Sequence, residues 1–555
     1  MKVGDGIASI LAAEGVETLI AYPVNPLVEA VARIGIRPII VRQERVGLHM
    51  ADAMSRVTSG DKPGVFAMQY GPGSENAFGG VAQAFADSVP ILVLPAGFPR
   101  PQMGLPSNFH AASAYRPITK WADELRLAST LTTTMRRAFG QLRNGRPRPV
   151  LVEIPWDLFD AEIDGPLDYR PVVRTRSAPD PAAISAALDL VLAARRPLLY
   201  AGQGVHYAKA WPVLRRFAER LGAPVTTSLE GKSAYPEDHP LFVGAGGRTV
   251  SRALDEAVRS ADVVLGIGAS FTPTGYGIQW PRDKRYVHAT LDPADLEQGV
   301  PVEVGIVGDA GLVLETFDAG LASRGVDRSA IAAETAERTR RLNGEWLADW
   351  RRKLESNEVP MTPYRAIREI AATVDVSRTV ITHDAGSPRD QLSPFWPAIT
   401  PLSYLGWGKS TQLGYGLGLA LGAKLARPDL LVINVMGDAA FGMTGLDLET
   451  AVRERIPTLT IVLDNASMAI ELGIMAYSTE RYRTTDISGD YAGVARSLGL
   501  HAERVERIED LAPAVLRAVA RTEAGQPALL DVITCKEVDV SLPGSTLPEP
   551  PPDDE

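Results

Sequence analysis

The stretch that decides the fold is Met436-Gly437-Asp438-Ala439-Ala440, answered 27 residues after Asp438 by Asn465 in Leu463-Asp464-Asn465-Ala466-Ser467. A mostly apolar run, 430–435, leads into Gly437-Asp438, and a second, 459–463, leads into Asp464-Asn465. Each reads as a buried strand that ends in a polar turn. Between them, 446–455 has helical spacing and Pro457 stops it. A parallel strand–helix–strand crossover brings both strand ends to the same edge of a sheet. Taken singly, Asp438 is an ordinary helix cap and Asn465 an ordinary turn residue. As a pair at matched strand ends they are expected to converge on one oxygen-liganded cation. A carboxylate plus an amide carbonyl suits Mg²⁺, which keeps few protein ligands and takes the rest from phosphate oxygens and water. The motif therefore predicts a diphosphate site.

Outward from this unit, the chain reads as α/β throughout, with three doubly wound parallel-sheet domains expected at 1–165, 180–325 and 355–540. In the first, short apolar strands at 19–21, 38–41, 65–68, 91–94 and 150–154 alternate with helical stretches. A linker rich in Pro and Arg covers 164–181, and strands at 197–201, 225–227, 263–267 and 302–307 follow. Segment 331–357, with Arg340-Arg341 and Arg351-Arg352, reads as a solvated helical connector. The tail, 541–555, is rich in Pro and acid, has little to bury, and is expected to be mobile or extended.

The bulk numbers narrow the function classes. Net charge is −10 without a Lys/Arg block, which argues against nucleic acid or an anionic membrane as partner. The single cysteine, Cys535, leaves no internal disulfide framework and fits a reducing compartment. No uncharged apolar run reaches the length of a membrane span. Segment 4–16 contains Asp5 and Glu14 and reads as an amphipathic helix, not a signal peptide. A cytoplasmic protein is the expectation.

Four further segments carry polar turns at strand ends. Gly71-Pro72-Gly73-Ser74-Glu75-Asn76 follows a strand and opens a helix of small residues. It reads equally as a loop that admits a ligand close to the backbone and as a tight turn with a Ser or Asn cap. In Arg42-Gln43-Glu44-Arg45, Glu44 stands at a strand end before an apolar helix. Read alone, it is a helix-start carboxylate favoured by the dipole. The run 406–418 is dense in glycine; its Lys409-Ser410 lacks P-loop spacing because position 403 is Ser. His383-Asp384-Ala385-Gly386-Ser387 is the fourth.

Together these segments resemble the thiamine-diphosphate enzymes of the acetolactate synthase and 2-oxoacid decarboxylase superfamily, over nearly the whole chain. The family signature, Gly-Asp-Gly then Asn-Asn, is matched here with departures at Ala439 and Asp464. The resemblance implies a pyrimidine-binding domain, a central domain and a diphosphate-binding domain. It implies Mg²⁺ ligands at Asp438, Asn465 and the Ser467 carbonyl. It makes Glu44 the catalytic glutamate that hydrogen-bonds N1′ of the aminopyrimidine, a role that burial assists by raising its pKa. Gly71, Pro72, Gly73 and Asn76 fall in the pyrimidine half. Gly386 and Ser387 match a turn on the diphosphate, and Gly437, Ala439, Ala440, Met468, Ala469 and Ile470 flank the same group. Leu413 matches the apolar residue that props the bent cofactor, and the Thr411 carbonyl accepts from the 4′-amino group. The cofactor supplies a carbanion at C2 and an enamine after bond cleavage. The family builds each centre from two subunits, so a homodimer is the minimum expected unit and a homotetramer is common.

The reaction is less legible. Acetolactate synthases bind FAD in the central domain with an Arg-Phe-Asp-Asp-Arg run; here 268–274 reads Gly-Ala-Ser-Phe-Thr-Pro-Thr, and Trp156 stands where they have Lys. FAD is therefore not expected. His110 falls where the synthases have Gln, so it reads both as an acid or base near the thiazolium and as a surface-loop histidine. Gln43 stands where relatives often have His. Segment 468–483 is expected to cover the substrate, with Ile470, Glu471 and Met475 lining it. The expectation is a lyase or carboligase acting on a 2-oxoacid or related carbonyl compound. The alternatives are a 2-hydroxyacyl-CoA lyase or oxalyl-CoA decarboxylase type, with Arg248, Arg252 or Arg282 available for CoA phosphates, and a non-catalytic cofactor-binding protein.

Overall fold

The computed structural model describes residues 1–547. It contains three six-stranded, all-parallel sheets, each flanked by helices. The first runs, in spatial order, Arg37–Ile40, Thr18–Ala21, Gly64–Met68, Ile91–Gly97, Val150–Pro155, Trp121–Glu124. The third runs Tyr404–Leu405, Thr379–His383, Leu431–Gly437, Leu459–Asp464, Ala528–Ile533, His501–Val505. Numbered along their own chain segments, both follow the order 2-1-3-4-6-5. The central sheet follows another order, Val302–Val307, Arg285–Thr290, Val263–Ile267, Pro197–Ala201, Val225–Thr227, Phe242–Ala245.

The inner strands form where the sequence places mostly apolar runs, because helices cover both faces of a parallel sheet and leave no polar face there, whereas edge strands such as Trp121–Glu124 and His501–Val505 carry charged residues. Strands Gly64–Met68, Val150–Pro155 and Leu459–Asp464 are buried at every residue. In the third sheet the register pairs Met436 with Val462 and Gly437 with Leu463, so both polar turns of the opening motif leave the sheet side by side. Strand order reverses between Thr379–His383 and Leu431–Gly437. At such a switch point the outgoing loops diverge and leave a crevice.

The first and third sheets are joined through helices Glu44–Val57 and Tyr415–Ala426, which pack backbone to backbone. A Cβ on Gly418 would lie 2.8 Å from the Val46 carbonyl oxygen, and one on Gly422 would lie 2.7 Å from Met50 Cα. Only glycine permits that approach.

Two expectations change. The crossover after Asp438 is not one helix over 446–455 but helix Asp438–Thr444, a 3₁₀ turn and helix Leu448–Arg453. The charged connector is helix Ser329–Leu354, and it is docked on one side. Trp346, Trp350 and Leu354 are buried, with Trp346 stacked on Phe395 at 4.8 Å and Trp350 edge-on to Tyr364. Its arginines are the solvated face of a packed helix. The start of the tail is anchored on it: Trp346 Nε1 donates to the buried Ser541 Oγ at 2.9 Å, which in turn donates to the Val250 carbonyl at 2.6 Å. Residues 548–555 lie outside the described residues. No helix among the described residues is long and apolar enough to cross a membrane.

Candidate active site

At the switch point of the third sheet, Asp438 opens helix Asp438–Thr444 and Asn465 follows strand Leu459–Asp464. Ala466 takes a left-handed conformation, φ +54°, which turns the chain back so that the Ser467 N–H meets both side chains. That single N–H donates to Asp438 Oδ2 at 3.2 Å and to Asn465 Oδ1 at 2.9 Å. Two oxygens of unlike chemistry thus converge as the spacing predicts. Asp438 is buried, and burial, with Asp464 beside it, pushes its pKa up to about 6. Adjacent carboxylates at a buried position are the arrangement that a bound cation relieves. Among the described residues no cluster of three His, Cys, Asp or Glu side chains could hold a metal. A cation here would rest on Asp438, Asn465 and backbone or phosphate oxygen, which is the donor set Mg²⁺ prefers.

The pair opens into a cavity of about 980 Å³. Gly386, Ser387, Thr411 and Leu413 line it, as do Gly437, Ala439 and Ala440. Ser467, Met468, Ala469, Ile470 and Glu471 form its outer wall; Met475 does not reach it. The lining also includes residues to which the sequence assigned no role, among them Tyr276 from the central unit and Arg389, Gln391 and Trp407 from the third.

The glycine-rich run that carries Thr411 and Leu413 is held by three carboxylates, one from each sheet unit, with Asp87 and Asp384 buried and the Glu230 side chain 8% exposed. Asp87 accepts from the N–H groups of Gly408 (3.3 Å) and Lys409 (3.0 Å) while paired to Arg56 at 3.2 Å. Glu230 accepts from Lys409 Nζ at 2.6 Å. Burial pushes Glu230 up, but the Lys409 ammonium prevails and holds it at about 2. Asp384 accepts from Gly414 at 2.8 Å and Gly416 at 2.9 Å, and burial pushes its pKa up to about 6. Arg56 completes the clamp by donating to the Gly406 carbonyl at 2.8 Å. Buried ionic groups of this kind are tolerated only when fully paired.

The first sheet gathers a second group. Glu44 is buried at the start of helix Glu44–Val57, and burial raises its pKa. Asn76 Nδ2 donates to Glu44 Oε2 at 3.4 Å, and a Cβ on Gly73 would lie 3.5 Å from Glu44 Oε1. Gly71, with φ +61°, and Pro72 begin the helix that places both. The buried amide oxygen of Gln43 has no hydrogen-bond partner among the described residues. Glu44 does not line the Asp438 cavity of its own chain. His110 is not a free surface histidine: its Nε2 lies 2.8 Å from Glu124 and 3.3 Å from Glu153. Those carboxylates stand directly opposite each other on paired strands. Such like charges side by side are unfavourable without a proton or cation between them.

A separate cleft of about 1350 Å³ lies against the central sheet, lined by Arg146, Asp295, Glu230 and Lys409 among others. Arg248, Arg252 and Arg282 line neither this cleft nor the Asp438 cavity, and Arg252 is engaged by Glu345 and Asp349.

Comparison with known proteins accounts for this architecture. Residues 1–116 match the N-terminal TPP binding domain of thiamine pyrophosphate enzymes, 184–317 their central domain, and 384–532 their C-terminal TPP binding domain. The chain is 29% identical to a probable acetolactate synthase large subunit of Methanocaldococcus jannaschii, covering 100% of this chain and 94% of that one. It is 28% identical to the glyoxylate carboligase of Escherichia coli O157:H7, covering 99% and 95%. It is also 28% identical to the sulfoacetaldehyde acetyltransferase of Rhodobacter capsulatus, covering 97% and 95%. With three matching domains in family order and similarity along its whole length, the chain belongs to the thiamine pyrophosphate enzymes and is a thiamine-diphosphate-dependent enzyme of the carboligase and transferase kind.

Proposed function

We propose that this protein is a thiamine-diphosphate- and Mg²⁺-dependent lyase or carboligase of the cytoplasm that acts on a 2-oxoacid or related carbonyl compound, and that its working unit is at least a homodimer. The observation that carries the reading is the convergence of Asp438 Oδ2 and Asn465 Oδ1 on the Ser467 N–H, inside a cavity shared with Gly386, Thr411 and Leu413. In this reading residues 1–165 bind the pyrimidine, 180–325 form the central unit, and 355–540 hold the diphosphate.

Asp438, Asn465 and the Ser467 carbonyl hold the cation, which anchors the diphosphate. Gly386, Ser387, Gly437, Ala439, Ala440, Met468, Ala469 and Ile470 enclose it. Leu413 supports the ring system and the Thr411 carbonyl accepts from the 4′-amino group. The bound cofactor supplies a nucleophilic C2. Glu44 shares a proton with N1′, and its burial favours the protonated carboxyl that this sharing needs. Because Glu44 lies outside the Asp438 cavity of its own chain, the complete centre is assembled from that cavity and the partner subunit's Glu44. His110, held by Glu124 and Glu153, and Gln43 serve the substrate side. No flavin takes part, since residues 268–274 carry no arginine.

Replacing Glu44 with Gln tests the assignment. Turnover is expected to disappear while most thiamine diphosphate binding remains; full activity in the variant would sink the mechanism. Sedimentation of the loaded protein as a monomer would sink the shared centre.

A further inference from the structure

We propose that Arg389 determines specificity for anionic substrates, by presenting a fixed cation to the carboxylate or sulfonate of a small carbonyl compound in the Asp438 cavity. This inference rests on the function proposed above and names its substrate class.

Arg389 belongs to the short helix Ser387–Leu392 that follows strand Thr379–His383, and it is 2% exposed. Its guanidinium is sandwiched between two aromatic rings, 4.5 Å from the centroid of Trp407 and 4.7 Å from that of Tyr276. Stacking of this kind fixes a planar cation and offsets part of its desolvation. Asp390 accepts from Nε at 2.5 Å and also takes Nη2. Nη1 has no hydrogen-bond partner among the described residues, and Arg389 lines the cavity. A buried arginine is thus braced on one edge and left with unspent donor capacity in the pocket.

Its surroundings favour substrate over diphosphate as the recipient. Trp407 and Tyr276 belong to the same apolar cluster as Leu413, the residue placed under the cofactor rings. The diphosphate is already answered at Asp438 and Asn465. The relatives point the same way, since two of them, a glyoxylate carboligase and a sulfoacetaldehyde acetyltransferase, are named for small anionic carbonyl compounds, one a carboxylate and one a sulfonate. Arginine matches both anions through paired N–H donors.

The test uses the full chain loaded with thiamine diphosphate and Mg²⁺. Calorimetry compares wild type with Arg389→Gln, Arg389→Lys and the double variant Arg389→Met with Asp390→Asn, which removes the pair together and leaves no unpaired buried carboxylate. The probes are pyruvate, glyoxylate and sulfoacetaldehyde, each set against an uncharged counterpart: methyl pyruvate, methyl glyoxylate or acetaldehyde. The expected result is that at least one anion binds the wild type and is weakened about 10- to 100-fold in the Gln and double variants. Its uncharged counterpart and thiamine diphosphate itself are expected to change by less than about threefold, and Arg389→Lys to recover part of the loss. Equal weakening of charged and uncharged probes would overturn the proposal by reducing Arg389 to packing. A matching loss of cofactor affinity would overturn it by assigning Arg389 to the diphosphate. A loaded wild-type protein that binds none of the three anions would overturn it as well, whereas failure of the wild type to bind thiamine diphosphate would bring down the proposed function first.

Discussion

Gly408→Ala puts the clamp on the cofactor loop to a quantitative test. A Cβ at position 408 would lie 2.5 Å from Glu230 Cγ and closer still to its carboxyl group. Ordinary carbon contacts need about 3.5 Å, so the Glu230 side chain has to retreat by about 1 Å or more. Its side chain is only 8% exposed and is bound to Lys409 Nζ at 2.6 Å, so the retreat breaks that pair. Loss of a buried pair costs about 3–5 kcal/mol. The Lys409 side chain is 21% exposed and recovers some hydration, which places the cost near the low end, about 3 kcal/mol. For a unit of this size that lowers the melting midpoint of the affected transition by about 6–12 °C. Calorimetric melting reads the shift, and the variant should also bind thiamine diphosphate more weakly, because Thr411 and Leu413 lie on the same loop. In a Glu230→Ala background the clash is gone, and Gly408→Ala should then cost less than about 0.5 kcal/mol. Additive effects of the two substitutions would refute the reasoning.

Three further predictions come from other parts of the molecule. Asp384, raised to about 6 by burial, takes up a proton in the folded state near pH 6 that the unfolded chain takes up only near pH 4; its ionisation therefore costs stability above pH 6, and that cost is relieved as pH falls from 6 towards 4. Relative to Asp384→Asn, the metal-free wild type should gain about 1.4 kcal/mol per pH unit across that window, and parallel denaturation curves would contradict it. Cys535, pushed up to about 12 by burial with Glu537 beside it, should react with a thiol reagent at pH 8 far more slowly in the native protein than in urea, as read by absorbance of the released leaving group. Gly344 lies exposed within helix Ser329–Leu354 with nothing near its Cα that a methyl group would meet, so Gly344→Ala should stabilise the protein by up to about 1 kcal/mol in a thermal melt.

The convergence of Asp438 and Asn465 was legible because strand ends and a fixed spacing carry its geometry. Apolar runs predict where strands stop, and the parallel crossover does the rest for Asp438 and Asn465. Glu44 is singled out only by its resemblance to a family glutamate, since one carboxylate at a helix start has an ordinary explanation. What stayed hidden depends on contacts between distant segments. Asp87 and Glu230 meet Gly408 and Lys409 from 321 and 179 residues away, and no local pattern announces that. Arg389 looks like a surface arginine next to an aspartate until Tyr276 of the central unit closes over it. The docked face of Ser329–Leu354 could have been found: Trp346, Trp350 and Leu354 recur every four residues, the spacing of one buried helix stripe.

In the function proposed here, Asp438 and Asn465 hold the cation that anchors thiamine diphosphate. Titration calorimetry of thiamine diphosphate into the metal-free protein, with and without Mg²⁺, for wild type and Asp438→Ala, tests it most directly. Tight binding to wild type is expected only with Mg²⁺, with a loss of at least about 30-fold in the variant, in line with the removal of one charged ligand. Binding of equal strength without Mg²⁺, or unchanged in Asp438→Ala, would contradict it.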